Sequence, residues 1–377
     1  MNRSIQIIFC LTAAFGAGSA IAQTYHDETP SSDAPVAYVY VSRPTHLDGF
    51  AASSSGVLTP VPGSPLAGTS VAGLATNGKY LFGDADKGGS IDAFTIASNG
   101  ALELAASTAI ATDGCTYSSP LILDHTGETL YVELSNCDNS YYESYKVGST
   151  GELELLGSTS QIFLLNAPLT FSSNNKYAYG SQCIDYRGAY LDTFAGYDRN
   201  SSGLLRSSGI TEATPRAKSG DFYCRSVAAA DPDGHVAVAL QPLNSESEYI
   251  DGPPQIASFT VGSTGNLSTN NNYSAMPTAT GGANVLTMSP SGKLLAVGGQ
   301  GLEIFHFNGS SPITGFSSLL QSGIVFEQLA WDGDNHLYAL GSGKLFVYTV
   351  TPTSIKEAPG SPYSIPEAAG LAVVTPK

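Results

Sequence analysis

The chain has 377 residues, with 16 basic and 32 acidic side chains and a formal net charge of −16 at pH 7. Binding to nucleic acid or to an anionic membrane surface needs clustered Lys and Arg, so this balance excludes both as expected partners. Only 13% of the residues are charged, while 41 are Gly and 20 are Tyr. Such a composition is typical of many short strands joined by turns.

Residues 1–22 have the pattern of a secretory signal. Arg3 precedes an apolar stretch from Ile7 to Leu11, and the segment ends in the small residue Ala22. We expect cleavage after Ala22, a flexible segment over residues 23–35, and a secreted or periplasmic protein. Gly16 and Gly18 interrupt the apolar part of this segment, and no later window is apolar enough to span a membrane, so we expect no membrane insertion.

A phrase made of an apolar strand, a tight turn and a second strand recurs along the chain. Each copy turns at a cluster of Gly, Asn, Asp, Ser or Pro, which are the residues that favour hairpins. Most copies are followed by a third strand and a Gly-x-Leu triplet. The copies are residues 73–82, 121–132, 169–179, 227–238, 286–297 and 329–340.

The spacing of these copies predicts an all-β, seven-bladed β-propeller with four antiparallel strands per blade. The residues after the turns are 79, 128, 176, 235, 293 and 336, so each unit has room for four short strands. We expect residues 36–377 to form this single domain. The remaining blade is split: residues 370–374 supply its first strand and residues 37–41 its second. Pairing these segments closes the ring and removes its open edges.

Several segments resemble the lactonase-like seven-bladed propellers, the family of 6-phosphogluconolactonase and carboxymuconate-cyclising enzymes. The resemblance covers residues 36–377 and implies a propeller that opens or closes a lactone ring. The segments that carry it are Ser289-Pro290-Ser291-Gly292-Lys293, the strand from Tyr38 to Ser42, and Ile91-Asp92-Ala93-Phe94 leading to Gly100-Ala101-Leu102.

The same resemblance implies a His near the channel, seven residues before the turn Gly of each blade. This chain has no His there. Its 6 histidines lie elsewhere, and no two have the spacing of metal ligands. We therefore expect no metal and no cofactor. The positions in question are Val71, Pro120, Pro168, Val227, Val285, Gln328 and Leu371.

Propeller topology separates two faces of the ring. The turns between the first and second strands lie on one face. The loops that enter the first strand, or join the second to the third, lie on the other, which we call the entry face. Ligand chemistry is expected there. The candidate ligand-binding residues on it are Tyr117, Asn166, Asn284 and Gln328.

Arg225 and Glu327 are the candidate catalytic residues of the entry face. An Arg facing a Glu across the channel would hold a carboxylate substrate and supply a general base, as the opening of a lactone requires. The alternative is an internal ion pair that ties blades together. Buried charges are usually paired for local structural reasons, which favours this alternative.

Four cysteines remain after cleavage, and three pairings are possible. All four lie in loops of the entry face. The positions of these loops favour two pairs: Cys115 with Cys137 within one blade, and Cys183 with Cys224 between neighbouring blades. An oxidising compartment favours disulfides over catalytic thiols.

Two functions fit these observations. The first is an exported lactone hydrolase or cyclising enzyme, acting on a carboxylate or sugar lactone. The second is a non-catalytic propeller that binds a glycan, a peptide or a surface partner through the entry face, including the inserts at residues 181–197 and 243–255. The sequence leaves open whether the chain is an enzyme. In either case we expect a monomer.

Overall fold

Tight turns and alternating apolar residues produce a chain of short antiparallel strands. The computed structural model describes residues 34–85, 89–110, 117–135, 140–160, 168–186, 189–247, 249–333 and 335–376. All described residues fall within one compact unit. None of them forms a helix long and apolar enough to span a membrane.

The strands form seven blades, which confirms the predicted fold class. Blade 1 contains β1 (Ala37–Arg43), β2 (His46–Ala52), β3 (Leu58–Pro60), β4 (Leu66–Ala67) and, from the C-terminal end, β29 (Gly370–Val374). Blade 2 contains β5 (Val71–Thr76), β6 (Tyr80–Ala85), β7 (Ser90–Ile96) and β8 (Leu102–Ala109). Blade 3 contains β9 (Tyr117–Leu123), β10 (Thr129–Ser135), β11 (Ser140–Val147) and β12 (Leu153–Ser160). Blade 4 contains β13 (Leu169–Phe171), β14 (Tyr177–Tyr186), β15 (Ala189–Arg199) and β16 (Leu205–Ser207).

The last three blades complete the ring. Blade 5 contains β17 (Asp221–Ala230), β18 (His235–Asn244), β19 (Gln255–Val261) and β20 (Leu267–Ser268). Blade 6 contains β21 (Val285–Met288), β22 (Leu294–His306) and β23 (Thr314–Gly315). Blade 7 contains β24 (Leu320–Trp331), β25 (His336–Gly341), β26 (Lys344–Thr351), β27 (Ser354–Glu357) and β28 (Tyr363–Ser364). Blades 6 and 7 are continuous in one sheet, because β24 pairs with both β22 and β25.

The segment labelled β22 bends back on itself and forms both the second and the third strand of blade 6. The Phe307 amide donates to the Lys293 carbonyl over 2.8 Å. A straight strand would separate these residues by roughly 45 Å. The chain therefore reverses near Gly301, whose φ of +127° is available to glycine.

The two ends of the chain pair inside blade 1 and close the ring. Strands β1 and β29 are antiparallel, with Tyr38 opposite Val374 and Ser42 opposite Gly370. This is the pairing that the split repeat predicts. It places β1 inside the sheet, with β29 on one side and β2 on the other, so β1 is not an open edge to which another strand could add.

The hydrophobic core lies between neighbouring blades. In β1, Val39 and Val41 pack against Tyr338 and Leu340 of blade 7. The residues between them face the other way, and Tyr40 packs with Leu81 of blade 2 in a different cluster. Successive side chains of a strand point to opposite faces, so each blade buries both of its faces against its neighbours.

A repeated tyrosine bond explains the Gly-x-Leu triplets. The Tyr40 hydroxyl donates to the Gly100 carbonyl of the next blade over 2.8 Å. Tyr131 does the same with Gly203, and Tyr179 with Gly265, over 2.6 Å and 2.9 Å. Each of these three triplets therefore marks a contact point between two blades.

Candidate functional site

A cavity of about 580 Å³ lies at the centre of the ring. Its described walls come mainly from the innermost strands β5, β13, β17, β21 and β24. Four of the positions where the resemblance implies a His line this cavity. These positions are Pro168, Val227, Val285 and Gln328.

Acidic and amide side chains supply the functional groups of the central cavity. Asp84 stands near the end of β6 and is only 4% exposed, whereas Glu327 of β24 is exposed. Asn284 precedes β21, and Gln328 follows Glu327. The described lining residues include no Lys, Arg or His. The cavity is therefore acidic in the part that the structure describes.

The amide of Gln328 helps to close the ring. Its Nε2 donates to the Ala369 carbonyl over 2.7 Å, and its Oε1 accepts from the Leu371 amide over 2.6 Å. Both polar atoms of this side chain therefore bind the entry to β29. They fasten the innermost strand of blade 7 to that of blade 1.

Asn284 offers a side-chain amide to the cavity. Its backbone amide donates to the Gly298 carbonyl over 2.7 Å, which holds the residue in place. The side chain is exposed, and it forms no hydrogen bond with the residues that the structure describes. Its amide group can therefore donate to a ligand.

Arg225 lies away from the described lining of the cavity, where blade 4 packs on blade 5. Its guanidinium forms ion pairs with Asp192 of β15 and with Glu212, and the Nε–Oε2 distance to Glu212 is 2.9 Å. Nη2 also donates to the Thr214 hydroxyl over 2.8 Å. The structure thus does not bring Arg225 and Glu327 together. The arrangement around Arg225 is that of an ion pair between blades.

Burial has a strong effect on the acid beside Arg225. The side chain of Glu212 is 1% exposed. This burial raises the pKa of Glu212 to about 7, although the neighbouring Arg225 acts to lower it. A carboxyl group that titrates near neutral pH therefore lies at the contact between blades 4 and 5.

A disulfide crosses the same contact between blades. Cys183 of β14 and Cys224 of β17 are bonded, with 5.3 Å between their Cα atoms. This is one of the two pairs that the sequence predicts. The other pair, Cys115 and Cys137, lies outside the described residues, and so does Asn166. The backbone of Tyr117 belongs to β9, but its side chain is also outside the described part.

The sequence analysis missed Asp84, Asp192 and Glu212. Asp84 could have been found, because it ends a second strand just before a loop of the entry face. The partners of Arg225 carry no such signal. Asp192 and Glu212 are 33 and 13 residues away in the chain, and only the tertiary structure brings them to Arg225.

No group of three or more His, Cys, Asp or Glu side chains among the described residues is placed to hold a metal ion.

Comparisons with known proteins show which solved structures have a similar fold. No protein-family model and no curated protein matches the chain. A periplasmic gluconolactonase from Pseudomonas aeruginosa superimposes with a TM-score of 0.64 and 15% identity, over 90% of this chain and 100% of that one. A Bacteroides uniformis protein, provisionally a 6-phosphogluconolactonase, gives a TM-score of 0.57 and 14% identity over 90% and 99%. A Lactobacillus plantarum protein gives 0.60 and 14% over the same shares. At these identities the likeness shows the fold, which is that of the lactonase-type propellers.

Proposed function

We propose that this propeller hydrolyses a neutral sugar lactone in its central cavity, with Glu327 as the general base. The observation that carries the proposal is the lining of the cavity, which combines carboxylates and amides without a described basic residue. Lactone hydrolysis needs a base that activates water and a donor that stabilises the carbonyl oxygen as it gains charge. Glu327 supplies the first group and Asn284 the second.

The reaction then follows two steps. The Glu327 carboxylate takes a proton from water while the water oxygen bonds to the lactone carbonyl carbon. The electron pair of the carbonyl bond moves to its oxygen, which accepts a hydrogen bond from the Asn284 amide. When this intermediate collapses, the ring C–O bond breaks, and the ring oxygen receives the proton from Glu327. The product is an open-chain hydroxy acid.

Charge in the cavity supports a neutral substrate over an anionic one. Asp84 and Glu327 both face the cavity, and the described lining has no basic side chain to offset them. A phosphate or carboxylate on the substrate would meet like charge there. The same repulsion assists release of the product, because ring opening creates a carboxylate.

An extracytoplasmic location is part of the proposal. The disulfide between Cys183 and Cys224 supports it, since disulfides persist mainly in oxidising compartments. One protein with a matching fold is periplasmic. The secretory pattern of residues 1–22 adds a further argument from the sequence.

A titration assay on the mature protein tests the reaction. δ-Gluconolactone and its 6-phosphate are compared by following acid release at constant pH, after subtraction of spontaneous hydrolysis. We expect turnover of the neutral lactone, and a loss of about 100-fold or more in kcat for Glu327→Gln. Glu128→Gln is the matched control, because Glu128 is an exposed Glu that does not line the cavity.

If Glu327→Gln is as active as the wild-type protein, Glu327 is not the general base. Absence of any lactone turnover, with retained binding to glycans, favours the non-catalytic propeller instead. Faster turnover of the phosphorylated lactone contradicts the preference for neutral substrates.

A further inference from the structure

Two more cavities continue from the central one across blades 5 and 6. Their volumes are about 370 Å³ and about 210 Å³. Asn284 lines both the central and the 370 Å³ cavity, which we call the middle cavity. Pro253 lines both the middle and the 210 Å³ cavity, which we call the rim cavity. The shared residues place the three cavities side by side, from the centre of the ring outward, and we call this series the groove.

The middle cavity is uncharged in its described lining. Its walls contain Pro253, Pro254, Gln300 and backbone from Gly281 and Gly282. A Cβ at Gly282 would meet no atom within 4 Å, so open space lies above this residue. A neutral chain can pass here without a charged side chain in its path.

The rim cavity combines an exposed aromatic ring with hydroxyl-binding groups. Tyr273 is 47% exposed and lines the cavity, together with Gln255, Thr278 and Asp251. Lys218 lies 3.7 Å from Asp251 and balances part of its charge. A sugar ring has one apolar face and a rim of hydroxyl groups, which matches an aromatic face beside carboxylate and amide groups.

This rim cavity is held in shape from beneath. The Tyr223 hydroxyl donates to Gln255 Oε1, and Gln255 Nε2 donates to the Tyr273 carbonyl over 2.8 Å. The Tyr273 amide donates to the Arg216 carbonyl over 3.0 Å. Because Tyr223 is buried, Tyr273 is attached to the core of blade 5 rather than to a free loop. The site is therefore preformed, which lowers the entropy lost when a ligand binds.

We infer that the groove binds a linear neutral oligosaccharide, with its lactone end in the central cavity and an inner sugar stacked on Tyr273. The rim cavity spans the blade from β17 to beyond β19, so the groove extends across roughly 14 Å of sheet beyond the channel. A single sugar lactone leaves this length unused. The lactone end of the inference rests on the proposed function, whereas the sugar contacts at the rim do not.

Aldonolactones of increasing length test the groove. We compare kcat/KM for δ-gluconolactone and for the aldonolactones of cello- and malto-oligosaccharides of two to four sugars. We expect kcat/KM to rise with length in at least one series. Tyr273→Ala should remove that gain, about fivefold to tenfold for the longest member, without changing the value for δ-gluconolactone.

Tyr249→Ala is the matched control. Tyr249 is 67% exposed and belongs to the neighbouring insert, yet it lines none of the three cavities. Replacement of Tyr249 should leave kcat/KM unchanged for every substrate. Tyr273→Phe should keep the rise of kcat/KM with substrate length. Equal kcat/KM at all lengths, or an equal loss in Tyr249→Ala, overturns the inference.

A second measurement separates the groove from the reaction. Cello- and maltotetraose reduced to alditols carry no lactone, and calorimetry reports their binding directly. Binding that Tyr273→Ala weakens supports the groove even without lactone turnover, in which case the proposed reaction alone fails. Turnover of δ-gluconolactone without tetraose binding overturns the groove and leaves the reaction intact.

Discussion

Glu212 and Arg225 form an ion pair beside the contact between blades 4 and 5, with 2.9 Å between Oε2 and Nε. Asp192 binds the same guanidinium, and the Cys183–Cys224 disulfide adjoins it. An ion pair and a covalent bond therefore fasten the same pair of blades. Because burial raises the pKa of Glu212 to about 7, the contribution of this contact to stability depends on pH.

Glu212→Gln tests this dependence. A carboxyl whose folded-state pKa is raised binds more protons in the folded than in the unfolded state, between the ordinary value of 4.5 and about 7. The wild-type protein should therefore lose stability relative to the variant as pH rises through this interval, by roughly 3 kcal/mol in total. Urea unfolding of both proteins at pH 5 and pH 8 measures the difference.

Glu128→Gln serves as the control for that experiment, since Glu128 is exposed. The stability difference between it and the wild-type protein should be the same at both pH values. A difference for Glu212→Gln that is equally independent of pH contradicts the raised pKa.

Gly100→Ala tests the contact between a Gly-x-Leu triplet and the preceding blade. Gly100 has φ of +81°, and a Cβ there would lie 2.4 Å from Tyr38 Cδ1. The variant should lose about 3 kcal/mol or more, from backbone strain together with displacement of a packed ring. Gly63→Ala is the matched control, because Gly63 also has φ of +81° but no atom within 4 Å of its added Cβ.

Gly63→Ala should lose only about 1 kcal/mol, from the backbone alone. Thermal or urea unfolding of the two variants gives both values. Equal losses would show that the contact with Tyr38 contributes nothing beyond the strained φ.

Gln328→Leu distinguishes a role in ring closure from a role in ligand binding. Both polar atoms of Gln328 bind backbone groups at residues 369 and 371. Their loss leaves these groups without partners, so the variant should lose about 2 kcal/mol of stability. Its kcat/KM for a neutral lactone should stay within about twofold of the wild-type value. A raised KM with unchanged stability would instead make Gln328 a ligand-binding residue, as the sequence predicts.

Much of the fold could be predicted because its determinants are local. Turn residues such as Pro290-Ser291-Gly292 specify a hairpin within a few positions, and period-two alternation specifies a strand. The number of repeats then predicts the number of blades. The two strands near residues 40 and 372 that belong to no complete repeat predict how the ring closes. The Cys183–Cys224 pair followed from the same topology, because both residues lie on the entry face of neighbouring blades.

The site could be predicted only in part. The sequence placed Glu327, Gln328 and Asn284 at the channel, and the structure finds them in the lining of one cavity. It did not find Asp84, although that residue lies where a second strand ends on the entry face. It also could not exclude a contact between Arg225 and Glu327.

The sequence by itself determined the strands, the turns, the number of blades and the way the ring closes, since these depend on residues near one another or on a repeat. Only the tertiary structure decided the partners of Arg225. Glu212 lies in the segment that connects blade 4 to blade 5, where residues 211–213 pair with β20, and Asp192 reaches Arg225 because blade 4 packs on blade 5. Such contacts depend on how two sheets pack, and no spacing in the chain encodes that.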